Sequence, residues 1–101
     1  MLDAAHNLEE FLTGIEYSAF VTDKLRYYAV LKNIEIVGEA AYMLSTSFKT
    51  SHPELPWDKM IKMRHVLVHG YASVLPEMLW QTAIQEIPEI KPIIENIYNA
   101  V

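Results

Sequence analysis

The run Lys62-Met63-Arg64-His65-Val66-Leu67-Val68-His69-Gly70-Tyr71 holds the residue types in this chain best suited to chemistry. Arg64 offers a planar, permanently charged fork that matches phosphate oxygens. His69 offers an imidazole, the side chain best suited to moving a proton. Together they are the minimum parts for cutting RNA without a metal. The histidine would help a ribose 2′-OH attack the adjacent phosphorus, while the arginine stabilises charge growing on the phosphoryl oxygens. Five residues separate the two, about 140° around an ideal helix, so they diverge if the helix runs straight on. Gly70 predicts a helix that stops at His69, which would free the imidazole to swing toward Arg64. General acid–base help is worth ~10²–10⁴ in rate, so one such pair makes a modest enzyme.

Each of these residues also has an ordinary reading. An arginine in this position is more often a surface salt-bridge partner, and a histidine at a helix C-terminus more often complements the helix dipole. His65 and His69 stand at i and i+4 and could grip a metal from one helix face. No glutamate follows the first histidine, however, and no third ligand has a recognisable spacing, so no metal is expected. Tyr71 could simply cover an end of the fold. Trp57 and Trp80 read as core or interface fillers. His6 and His52 read as surface residues, and Glu35 and Glu39 as a solvated helix face.

The 101 residues suffice for one domain, read as 1–101, and 51% hydrophobic against 21% charged types allow a buried core. With no cysteine, disulfides, thiolate zinc sites, iron–sulfur clusters and cysteine nucleophiles are excluded. Asp3 and His6 stand where a signal peptide would need a basic and then an apolar run. No apolar stretch approaches the ~18–20 residues of a membrane span, and a cytoplasmic protein is expected. Thirteen acids against eight bases, a formal charge of −5, argue against a non-specific DNA coat. Against that background Lys59, Lys62 and Arg64 form a local concentration of positive charge. Lys59, Lys62 and His65 are therefore candidate RNA contacts.

The apolar spacing that must position these groups is helical almost throughout. Met1 to Thr13 predicts a first helix with Leu2, Ala5, Leu8 and Leu12 on one face and Gly14 as its stop. The pattern already includes Met1, so part of a longer first helix is expected to be missing. Ile15 to Val21 reads as a connector with at most one helical turn. Thr22 is expected to cap a long helix, with Asp23 beside it. Along that helix Tyr27, Val30, Ile34, Val37, Ala41 and Leu44 form a heptad seam. Gly38 inside it costs about 1 kcal/mol against alanine, which is easiest to understand if another helix must approach there. Ser45 to Pro56 reads as loop, Trp57 to Val68 as a third helix, and Tyr71 to Leu75 as a turn. Pro76 starts a last stretch with Leu79, Ala83, Ile87, Ile90, Ile94 and Ile97 in register, in which Pro88 and Pro92 predict a kink or two stacked pieces. The fold class is all-α, a four-helix bundle with a short extra helical segment.

Four anchors stand in order along the chain: the run from Ala29 to Ala41 containing Ile36-Val37-Gly38-Glu39-Ala40, then Pro53-Glu54-Leu55-Pro56-Trp57, then Met63-Arg64 through His69-Gly70-Tyr71, and Trp80 ahead of Ile87-Pro88. In these the sequence resembles the HepT-like branch of the HEPN superfamily over nearly its whole length. The family motif is Arg-x4-His-x-Tyr, and Arg64, His69 and Tyr71 fit it residue by residue. In that family the position after the motif arginine is usually polar, often Asn or Asp, so His65 keeps polarity but changes the chemistry.

That resemblance implies an HEPN-like homodimer, with further assembly left open, in which two copies of the motif face one cleft and cut RNA without metal or cofactor. It implies the RNase toxin of a type VII-like toxin–antitoxin pair. The partner, a minimal nucleotidyltransferase, would silence it by adding AMP from ATP to Tyr71. Arg64 and His69 are then the catalytic candidates. The products would carry a 2′,3′-cyclic phosphate and a 5′-OH, because the attacking oxygen is the ribose's own. A bulky phosphodiester on Tyr71 would block the RNA path by charge and size. The alternative is a non-catalytic helical subunit that binds the nucleotidyltransferase and helps present its substrate.

Overall fold

Asp23 opens the longest helix, α3 (Lys24–Met43). Its Oδ1 accepts from the Arg26 backbone N–H at 3.1 Å, and its Oδ2 takes the Arg26 guanidinium at 2.7 Å. Thr22, expected to be the cap, instead closes a short helix α2 (Tyr17–Thr22), its hydroxyl donating back to the Ser18 and Ala19 carbonyls. A carboxylate wins the capping position because it can serve the backbone and the arginine at once, which a hydroxyl cannot.

The computed structural model describes residues 1–70 and 74–100, and its elements are all helical. Around α3 stand α1 (Leu2–Leu12), α5 (Trp57–Gly70) and a composite last helix made of α6 (Pro76–Gln81), a π turn (Thr82–Glu86) and α7 (Ile87–Asn99). These four make the expected bundle. The short segments are two rather than one, since α4 (Thr46–Ser51) folds inside the stretch read as loop. It is nearly all polar and shows no apolar period. Ser45 starts it by accepting from the Phe48 N–H at 3.1 Å, and Phe48 holds it down against Trp57 with ring centroids 6.2 Å apart.

The core follows the periodic positions. Val30, Ile34, Val37 and Ala41 of α3 meet Ala5, Leu8 and Leu12 of α1 and Leu79, Ala83, Ile87, Ile90 and Ile94 of the composite helix, all buried. Full burial of a side chain such as Leu8 or Phe20 stabilises by roughly 1.5–3 kcal/mol. Two polar side chains lie among them, Thr82, whose hydroxyl donates to the Met78 carbonyl, and Asn33. The buried Asn33 amide accepts from Asn7 Nδ2 at 3.1 Å and donates to the Ala29 carbonyl at 2.8 Å, so it is satisfied and ties α1 to α3 in one register.

The prolines neither break nor stack the last helix. Immediately before Pro88 the ladder widens by one residue, so that the Ile87 N–H reaches the Thr82 carbonyl. A π turn at this point loosens the backbone where the proline ring would otherwise crowd the preceding turn. Pro92 then sits inside α7, costing one further hydrogen bond. The Cα framework is a slab, 41 × 29 × 16 Å, in which α5 packs chiefly on α3. Between α5 and the composite helix lies an apolar cleft of 270 Å³, lined among others by Met60, Met63 and Ile87, with Lys59 and Glu86 bridging it.

Candidate functional site

Gly38 decides where α5 lies. A Cβ built at this position would overlap Arg64 Cβ and would sit 2.8 Å from the Met60 carbonyl oxygen and 3.2 Å from Arg64 Cα. The missing side chain thus lets the two helices cross backbone to backbone at Arg64, the close approach anticipated from a glycine within the seam. Without it α5 would stand off, and the guanidinium would lose its place.

What holds that guanidinium was not foreseen. Glu39, read from sequence as solvated, accepts from Arg64 Nε at 2.6 Å. Tyr42, one turn further along α3, puts its ring 4.8 Å from Arg64 Cζ. The Arg64 side chain is 20% exposed and Glu39 47%, so this ion pair is half in water and worth no more than about 1 kcal/mol. The stacking on Tyr42 adds a contribution of about 0.5–1 kcal/mol. Among the described residues neither Nη group is hydrogen-bonded to protein, so both remain available to a phosphate while Nε fixes the plane. One signal could have revealed Glu39: residues flanking a glycine at a helix crossing face the partner helix.

His69 is placed differently from the expectation. The helix does not stop there but continues through Gly70, whose backbone is not in the left-handed region. A glycine inside a helix costs free energy without compelling an end. His69 therefore keeps its place on the outer face of α5, exposed and beside His65, with imidazole centroids 4.7 Å apart. Within one copy, Arg64 pairs with Glu39 of α3 while the His69 imidazole lies beside His65. The five-residue spacing of Arg64 and His69 leaves about 140° of arc and about 7.5 Å of rise between them.

The remaining candidates separate as well. Lys59 reaches across the cleft to Glu86 of the π turn, so its charge is already answered. Lys62 is exposed and shares the outer face with His65 and His69, one turn apart in each step. Tyr71, the expected modification site, lies outside the described residues. His6 is exposed as expected. His52 is half-buried, stacked on Phe48 at 4.5 Å, and its carbonyl accepts from Trp57 Nε1 at 2.8 Å, which makes it part of the α4–α5 joint. No helix among the described residues is long and apolar enough to cross a membrane.

The outer face of α3 carries several exposed apolar side chains, with the exposed Lys32 among them. Leu25, Tyr28, Ile36 and Met43 recur along it at helical spacing, 88%, 56%, 40% and 72% exposed, and Tyr42 flanks them. The Arg64–Glu39 pair stands beside these residues.

Comparison with known proteins then adds a second line. The family described as Ribonuclease HepT-like matches residues 1–97. "Probable ribonuclease HepT" of Thermococcus cleftensis is 38% identical over 95 residues, 94% of this chain and 86% of that one. "Putative RNase MJ1380" of Methanocaldococcus jannaschii is 33% identical over 97 residues, 96% of this chain and 89% of that one. "Putative RNase TTE0752" of Caldanaerobacter subterraneus subsp. tengcongensis is 33% identical over 97 residues, with 96% and 87% covered. No solved structure matches the chain.

Proposed function

The chain belongs to the ribonuclease HepT-like family, within the HEPN superfamily, and from that premise we propose that it is a metal-independent endoribonuclease whose site is shared between two copies. The observation that carries this reading is the arginine. Its Nε is pinned by Glu39, its plane is held by Tyr42, and among the described residues nothing takes the two Nη groups, which would meet a phosphate. Arg64 binds the scissile phosphate and stabilises charge on its oxygens. His69 takes the 2′-OH proton or supplies one to the departing 5′ oxygen. The 2′ oxygen bonds to phosphorus as the bond from phosphorus to the 5′ oxygen breaks, leaving a 2′,3′-cyclic phosphate and a 5′-OH.

Since Arg64 and His69 of one copy point apart, the productive pair comes from two copies, an arginine from one and a histidine from the other. The exposed apolar side chains of α3 beside Arg64 support such pairing. Lys62 and His65, exposed on the same outer face as His69, then guide the RNA, while Lys59 contributes little because of Glu86. In this reading the protein is the toxin of a toxin–antitoxin pair acting in the cytoplasm. A minimal nucleotidyltransferase neutralises it by AMP addition at Tyr71.

The test is incubation of the purified chain with single-stranded RNA in excess EDTA, alone and as Arg64→Ala and His69→Ala. Wild-type cleavage is expected and each variant is expected to be inactive. Mixing the two inactive variants should restore part of the activity, because a mixed dimer holds one arginine and one histidine on opposite chains. Dimers that stay inactive would refute the shared site. For Tyr71, incubation with the partner enzyme and ATP should add AMP mass to wild type and not to Tyr71→Phe. The divergence of Arg64 and His69 within one copy also favours a second reading, a non-catalytic subunit of the nucleotidyltransferase. Absence of cleavage with tight nucleotidyltransferase binding would select it.

A further inference from the structure

We propose that His65 and His69 form a two-imidazole clamp for a transition-metal dication such as Cu²⁺ or Zn²⁺, and that an ion held there silences the site by occupying the His69 nitrogen. The silencing rests on the ribonuclease reading above; the clamp does not.

The helical state of α5 through His69 creates it: the two histidines stand at i and i+4 on one exposed face, with ring centroids 4.7 Å apart and planes inclined by 52°. That separation suits a shared ion. With metal–nitrogen bonds of ~2.1 Å and a further ~1.1 Å to each ring centre, bond angles between about 90° and 109° put the centroids about 4.5–5.2 Å apart. The observed value lies inside this range, so the helix need not move for the two rings to share an ion.

The donor set chooses the class of ion. Two neutral imidazoles suit Cu²⁺, Ni²⁺ or Zn²⁺ and are poor ligands for Mg²⁺ or Ca²⁺, which favour oxygen. Among the described residues no third histidine or carboxylate joins them, so water completes the coordination. Lys62 shares the face one turn earlier, and its ammonium weakens the site further. These features fit a reversible inhibitory site rather than a resident cofactor. On binding, one nitrogen of each ring donates its lone pair to the ion, bound water leaves, and any proton on those nitrogens goes to solvent. The His69 nitrogen can then neither take nor give a proton.

The experiment uses the untagged full chain, stripped with EDTA and titrated calorimetrically with CuCl₂, ZnCl₂ and MgCl₂. One ion per chain is expected, with Cu²⁺ tighter than Zn²⁺ and no binding of Mg²⁺. His65→Asn and His69→Asn should each weaken binding by roughly tenfold or more, whereas His6→Asn and His52→Asn should not. Circular dichroism should find both α5 variants folded, because both positions are exposed. Binding that survives either substitution, or no zinc binding up to about 1 mM, overturns the clamp. For the silencing, cleavage rates with and without zinc are compared. Zinc should slow wild type, while whatever cleavage His65→Asn retains should be the same in both conditions. Equal inhibition of the two proteins overturns the silencing. A wild-type chain that binds zinc through both histidines yet cuts no RNA would sink the ribonuclease reading and leave the clamp standing.

Discussion

Gly38→Ala separates a structural argument from a propensity argument, because the two give opposite signs. In a helix interior alanine is better than glycine by about 1 kcal/mol, so propensity alone makes the variant more stable. The crossing says otherwise. The added carbon would overlap Arg64 Cβ and meet the Met60 carbonyl oxygen at 2.8 Å and Arg64 Cα at 3.2 Å. None of these atoms can rotate away, so α3 and α5 must part. Overpacking of this kind costs typically ~1–3 kcal/mol, and the upper end applies where backbone is struck. After the propensity gain, a net loss of about 1–2 kcal/mol remains, which for a domain of this size lowers Tm by roughly 5–15 °C. Thermal and urea unfolding followed by circular dichroism measure it. Cleavage assayed well below the lowered Tm adds a second readout. It should fall too, because Arg64 moves with α5 away from Glu39 and Tyr42. A Gly38→Ala chain that melts at or above the wild-type temperature would refute the backbone-to-backbone crossing and, with it, the account of how Arg64 is placed.

Arg64→Lys keeps the charge but loses the planar fork and the Nε hydrogen bond, so cleavage should drop by about 10–100-fold with the fold intact; an equally active lysine variant would remove the fork from the mechanism. Glu39→Gln should change stability by less than about 1 kcal/mol and raise the KM for RNA, because it weakens the ion pair that fixes the plane of Arg64; an unchanged or lowered KM would mean that Glu39 does not position the arginine. The hydrogen bond and charge of Lys91, 2.6 Å away, hold the exposed Glu9 carboxyl below its usual 4.5. A depressed folded-state value contributes stability above the unfolded value that is lost as pH falls through the folded one. Urea midpoints measured from neutral pH down into the acid range should therefore fall less steeply in Glu9→Gln than in wild type; parallel curves would show that this pair does not couple to folding.

The bundle was legible wherever a single helix face decides the outcome. Val30, Ile34, Val37 and Ala41 are buried because their spacing leaves them no other side, and Gly38 could be read as a crossing because nothing else explains its cost in that seam. Features that depend on a second element were not legible. The short helix at Thr46–Ser51 lacks an apolar period and exists through one serine cap and one phenylalanine seated on Trp57. The prolines of the last helix read as a kink or two stacked pieces, whereas one extra residue in the ladder before Pro88 keeps the stretch helical throughout. Glu39 looked solvated because its partner lies twenty-five residues away, on a helix whose position Gly38 sets. Gly70, which looked like a terminator, is the last described residue of α5, and with His69 still helical both histidines share one face. That last difference redistributes the chemistry. With α5 helical from Trp57 to Gly70, five residues of spacing hold Arg64 in the α3–α5 seam and His69 on the outer surface. A longer arginine side chain does not close an arc of about 140°. The geometry that keeps these two groups apart within one chain is therefore the physical reason to seek their meeting between two.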